Sequence, residues 1–198
     1  MMMLCKPRKK RFSTFLAGAL VLVATLVTGQ ALWLQAKAWL AQRLIASAWQ
    51  QTLASGAPVK PWPWADTWPV ARLTTPQGRH LYVLASVSGQ ALAFGPGHLS
   101  ASALPGEAGT VLIAGHQDSH LAFLEQVKAG DALALQGVDG QIYQYRVAGA
   151  DVVDSSNQHI SLQYGTPELR LVTCYPFASL QSGGPLRYVV TAWLEEMR

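Results

Sequence analysis

Residues 12–36 carry no charge and are mostly apolar. At about 1.5 Å per residue, a helix of that length crosses the roughly 30 Å hydrocarbon core of a bilayer. Helical spacing continues through Ala38, Leu40, Leu44, Ile45 and Trp49, as a stalk or as a helix lying on the membrane or on the domain, until Gly56 and Pro58 end it. Residues 58–69 hold four prolines and three tryptophans, which predicts an extended linker. The tryptophans either pin that linker to its own domain or contact a peptide or glycan. From Val70 the pattern changes to short strands with turns. Strands are predicted over 79–87, over 110–115 leading into His116, over 131–135 and 141–147 around the hairpin signal Gly137-Val138-Asp139-Gly140, over 169–174, and over 187–193. A short helix fits 119–127. Closely spaced strands with few helices predict an all-β barrel or sandwich. The chain thus divides into a basic tail (1–11), an apolar anchor (12–36), a helical stalk and Pro/Trp-rich linker (37–69), and one domain (70–198).

Charge sharpens this division. The net charge is +4, but Lys6, Arg8, Lys9, Lys10 and Arg11 supply five of the 15 basic residues. No acidic residue precedes Asp66, so the other ten basic residues face all 11 acidic ones. The basicity belongs to a tail rather than to a binding face, which argues against a nucleic-acid partner. Basic residues before an apolar span predict a cytoplasmic N-terminus and a domain outside the membrane. The competing reading is a cleaved signal peptide with Ala36-Lys37-Ala38 as its processing site, but the apolar run exceeds the usual signal length.

The chain has two cysteines, Cys5 and Cys174, one on each side of the apolar run. If that run spans a membrane they cannot pair, and they cannot build a zinc site. Cys174 is then a free thiol, reactive or simply buried. Three polar groups stand at predicted strand ends: His116 after one strand, Cys174 closing another and Arg187 opening the last. The set fits thiol chemistry. A neighbouring cation favours the thiolate, an imidazole protonates a departing amine, and a guanidinium or backbone N–H meets the negative oxygen of a tetrahedral intermediate. The N–H of Tyr175 is a candidate for that last role. Spacing alone equally allows a core cysteine, a structural histidine and a surface arginine.

The local sequences carry more. Leu171-Val172-Thr173-Cys174 resembles the sortase signature T-L-x-T-C, Ala114-Gly115-His116 resembles the sortase histidine motif, and Pro185-Leu186-Arg187-Tyr188-Val189-Val190 resembles the segment with the family's essential arginine. Their order and spacing match as well, over about residues 70–195. Cys174-Tyr175-Pro176-Phe177, Gly183-Gly184-Pro185 and Gly115-His116-Gln117-Asp118-Ser119-His120 are similar to the Gram-negative branch called class GN. The resemblance implies an eight-stranded sortase-type β-barrel behind an N-terminal transmembrane helix. It implies His116, Cys174 and Arg187 as catalytic residues, no cofactor, and cleavage of an LPxTG-like C-terminal sorting signal with transfer to an amine. The implied client is a secreted protein, in this branch often one with VIT and von Willebrand A domains. The implied location is the inner membrane, with the catalytic domain on the periplasmic side. One departure stands out: Arg170 occupies a position where the signature has threonine.

Thr173, Tyr175 and His120 are candidate substrate contacts. No metal is predicted, because the calcium-binding acids of some sortases cannot be placed here. Asp118 is either an imidazole orienter or a helix cap, while His80, His98 and His159 read as structural or exposed. Two rivals remain: a hydrolytic cysteine peptidase using the same residues, and a membrane-tethered binding barrel whose thiol is core. An L,D-transpeptidase would need a Ser-His-Gly-Cys type segment, which is missing.

Overall fold

The computed structural model describes residues 9–177 and 183–195. Cys5 and most of the basic tail lie outside them. By contacts the chain divides into Met1–Ala41 and Gln42–Arg198.

Helix α1 (Lys9–Ser55) contributes to both units. In the first, Phe15, Leu20, Leu26, Leu32 and Trp33 are all exposed. The helix is long and apolar enough to cross a membrane. In the second, its end buries Ile45, Ala48, Trp49 and Thr52. These positions recur at the i, i+3, i+4, i+7 spacing of one helix face. Ile45 packs with Leu84 and Ala91, beside Trp62 and Phe94. The Gln42 side-chain amide donates to the Phe94 carbonyl at 2.6 Å. Residues 42–55 are therefore part of the folded domain. Gly56 stops the helix with φ +69°, its N–H returning to the Thr52 carbonyl at 2.9 Å. Trp62 meets Phe94 edge-on, with ring centroids 5.2 Å apart, which pins the proline-rich linker. Trp64 stands exposed.

The strands are β1 (Pro69–Thr74), β2 (His80–Leu84), β3 (Gly97–His98), β4 (Thr110–Ala114), β5 (Ala132–Gln136), β6 (Ile142–Asp154), β7 (Glu168–Cys174) and β8 (Leu186–Leu194). They close into a barrel in the order β1-β2-β3-β4-β7-β8-β6-β5. This is the eight-stranded architecture that the resemblance implies. A four-residue helix α2 (Gly89–Leu92) precedes β3. The helix predicted over 119–127 forms as a shorter 3-10 segment, Ala122–Gln126.

Alternation along the strands separates two faces. Inside lie Val111 and Ile113 of β4, Leu169 and Leu171 of β7, and Val190 and Ala192 of β8. Leu73, Val83, Leu133, Leu135 and Tyr145 join them, with Leu121, Leu124 and Val127 from the 3-10 region. Each fully buried leucine contributes about 1.5–3 kcal/mol. Burial also pushes the Tyr145 hydroxyl up to a pKa of about 12. Outside, Leu112, Val172 and Val189 form a second apolar patch, packed by Leu99, Ala114, Val153, Ile160 and Leu162.

Candidate active site

The site is built on three neighbouring strands. β7 lies between β4, parallel to it, and β8, antiparallel to it. Cys174 ends β7 and is the Cα partner of Arg187 on β8. The next residue, Tyr175, donates its N–H to the Leu186 carbonyl at 3.1 Å. That bond makes Tyr175 and Leu186 the hydrogen-bonded pair and Cys174 and Arg187 the other kind. In such a pair the Cα atoms approach to about 4.5 Å and the side chains stand close together.

On the other side, β4 runs in register with β7 as far as Ala114 and Val172. The Gly115 N–H then bonds the Val172 carbonyl at 3.1 Å, and the Thr173 hydroxyl donates to the Gly115 carbonyl at 2.7 Å. Extending the register by two residues sets His116 beside Cys174. Parity gives the same result: Leu112 and Ala114 face outward on β4, as do Val172 on β7 and Val189 on β8. His116, Cys174 and Arg187 continue that outer face at its end. His116 is exposed, and Cys174 and Arg187 are partly exposed, so solvent reaches the row. Cys174 is a free cysteine.

Close packing fixes the turn into His116. A methyl group at Gly115 would come within 2.8 Å of Leu121 Cγ, and Leu121 is fully buried. Arg187 is tied at one nitrogen: Nη1 donates to the carbonyls of Gly184 at 2.6 Å and Leu186 at 2.9 Å. Among the described residues, no hydrogen bond occupies the other guanidinium nitrogens.

The remaining candidates fall in different places. Thr173 is buried and its hydroxyl donates to the Gly115 carbonyl, so it clamps the His116 segment to the Cys174 strand. The Tyr175 N–H, expected as an oxyanion donor, is committed to Leu186 by the last rung of the sheet. The Tyr175 ring lies 6.1 Å from Tyr188 in a stacked arrangement, with Phe177 edge-on to both. Phe177 and Tyr188 pack against the inner core of the barrel. His120 is half-buried. Its pKa is lowered, first by burial and then by the Arg79 cation, with His116 also nearby. Asp118 is exposed and caps no helix. His98 is buried and structural, its Nε2 donating to the Ala103 carbonyl at 2.9 Å. The sequence reading missed the polar network of Thr110, Glu168 and Arg170. Its one signal was the basic residue in the signature position.

The Sortase domain model matches residues 74–195. Over 97 residues the chain is 34% identical to Sortase D of Bacillus subtilis (strain 168), an alignment covering 48% of each protein. The chain thus spans about half the length of that curated relative. Sortase A from Corynebacterium diphtheriae superposes with a TM-score of 0.59 at 25% identity, covering 68% of this chain and 64% of that one. A Clostridium perfringens Sortase D5 transpeptidase gives 0.56 at 24% identity, covering 65% and 80%. The latter likeness concerns the fold. Signature, barrel and family match agree, and the chain belongs to the sortase family.

Proposed function

We propose that this chain is a membrane-anchored transpeptidase that cleaves an LPxTG-like sorting signal and transfers the acyl fragment to an amine. The carrying observation is the row across β4, β7 and β8, with the Cys174 thiol flanked by Arg187 and by the exit to His116. The Cys174 thiolate attacks the threonine carbonyl carbon of the sorting signal. Arg187 stabilises the negative oxygen that forms. The C–N bond breaks as His116, as imidazolium, protonates the departing amine. A thioester remains on Cys174. An incoming amine attacks it, His116 accepts the amine's proton, and the C–S bond breaks to regenerate the thiolate. With the Tyr175 N–H occupied, Arg187 carries the oxyanion role.

The apolar helix and the five basic residues before it support an inner-membrane anchor with the domain on the periplasmic side. The motifs around Cys174 and His116 support the class GN branch and a secreted client of the VIT and von Willebrand A type. The test is a labelled amine supplied with an LPxTG donor peptide. A ligated product that vanishes in Cys174→Ala supports transfer. Only hydrolysed product would favour the peptidase reading, and activity retained in Cys174→Ala would remove the assignment.

A further inference from the structure

Arg170 lies on the outer face of β7, four residues before Cys174, between Leu112 of β4 and Thr191 of β8. Its Nη1 donates to the Ser161 carbonyl at 2.7 Å. Its Nε stands 3.0 Å from Glu168 Oε1, and Nη2 is 3.4 Å from Oε2. Glu168 is fully buried, and the Thr110 hydroxyl donates to its Oε1. The same Thr110 oxygen accepts the Gln163 N–H at 2.8 Å, while the Thr110 N–H bonds the Gln163 carbonyl at 3.0 Å. A buried carboxylate is tolerated only when paired and hydrogen-bonded, and Glu168 has both kinds of partner.

The network grips one segment. Residues 155–167 join β6 to β7, with no helix and a single isolated bridge, Gly109 to Tyr164. A connection of that length needs anchoring to hold one conformation. Arg170 and Thr110 bond its backbone at Ser161 and Gln163. Between and beside those anchors, Ile160 and Leu162 pack on Leu112, Val172 and Val189, the outer patch that ends at Cys174. Gln158, His159, Ile160 and Ser161 wall a cavity of about 400 Å³ that Val153 and Arg170 itself also line. Val153 is the Cα partner of Arg187 on β6. The cavity thus reaches the strand partner of Arg187, and its size suits a few residues of an extended peptide.

We propose that Arg170, held by Glu168, is a positioning residue that fixes the 158–164 wall of the donor-peptide subsite and so sets donor binding, leaving bond-making to Cys174. This rests on the transpeptidase reading above. Arg170→Leu leaves the buried Glu168 carboxylate with neither a cation nor a hydrogen-bond donor at this position, and so tests folding as much as function, whereas glutamine keeps a donor there. The informative variants are therefore Arg170→Gln and Arg170→Lys in the full chain, solubilised in detergent. Lysine keeps the charge beside Glu168 but lacks the planar fork that also reaches Ser161.

The readouts are KM and kcat for an LPxTG donor peptide, amide exchange over 158–164, and alkylation of Cys174 by iodoacetamide. The loss of one charge-assisted bond predicts a KM about tenfold higher in Arg170→Gln, with kcat nearly unchanged. Exchange over 158–164 is faster in that variant, alkylation is unchanged, and Arg170→Lys falls between it and wild type. Wild-type KM in both variants, or a fall in kcat alone, overturns the proposal and leaves the transpeptidase reading standing. A wild-type chain that cleaves no donor peptide removes both.

Discussion

The inner and outer faces of β4, β7 and β8 are built from alternate residues of the same segments, yet they do opposite work. The inner face is apolar apart from Thr173, and Leu169, Leu171, Ile113 and Val190 are fully buried there. The outer face begins at the charged pair of Glu168 and Arg170 and passes through Val172 and Val189. It ends at Cys174 and Arg187, partly open to solvent. The proposed chemistry sits on the side of the sheet that does not hold the barrel together. A one-residue register slip would exchange the two faces, so the inner alternation also fixes where the thiol points.

This contrast can be broken from either side. Leu171→Ala empties an inner position and is expected to cost about 2–5 kcal/mol, read from denaturant unfolding of the domain. Arg187→Ala, on the outer face, is expected to lower turnover by about 10²–10³-fold. Unfolding should shift little, because the side chain is partly exposed. A large stability loss in Arg187→Ala would mean that the outer row is structural. Gly115→Ala tests the joint between the faces. Its methyl group would press on Leu121, and an overpacking cost of about 1–3 kcal/mol is expected together with reduced activity, since the turn also carries His116.

The smallest expected effect concerns His120. Burial and Arg79 disfavour its protonated form in the folded state. The unfolded chain therefore binds this proton first, at about pH 6.5. Stability from this group is present above that value and declines as pH falls through the lowered folded-state pKa. His120→Gln should flatten the decline, seen as a smaller drop in Tm between neutral and mildly acidic pH.

Much of this layout was legible in the sequence. The strands ending at Cys174 and beginning near Arg187 alternate cleanly and carry recognisable motifs, so their ends and their order stood out. β3 did not, because two residues show no period. β6 was read only to Val147. A register shift between Val147 and Gly149 breaks the alternation, although the strand runs on to Asp154. The helical spacing of Ile45 and Trp49 left a stalk, a membrane-surface helix and packing on the domain equally open, because the apolar helix continues from the anchor; the structure buries Ile45, Ala48, Trp49 and Thr52. Hydrogen bonds spanning 53 to 58 positions, such as Thr110 to Gln163 and to Glu168, have no local signature. The fate of the Tyr175 N–H was equally invisible, since it depends on β8 passing alongside.

The central claim is that the Cys174 sulfur takes an acyl group from a peptide. Mass spectrometry of the full chain after rapid acid quench with an LPxTG donor peptide tests it most directly. The account predicts an adduct of the acyl fragment, lost on treatment with hydroxylamine and mapped to the peptide containing Cys174 rather than Cys5. Donor cleaved at the wild-type rate with no acyl group on Cys174, or with the adduct on another residue, would contradict it.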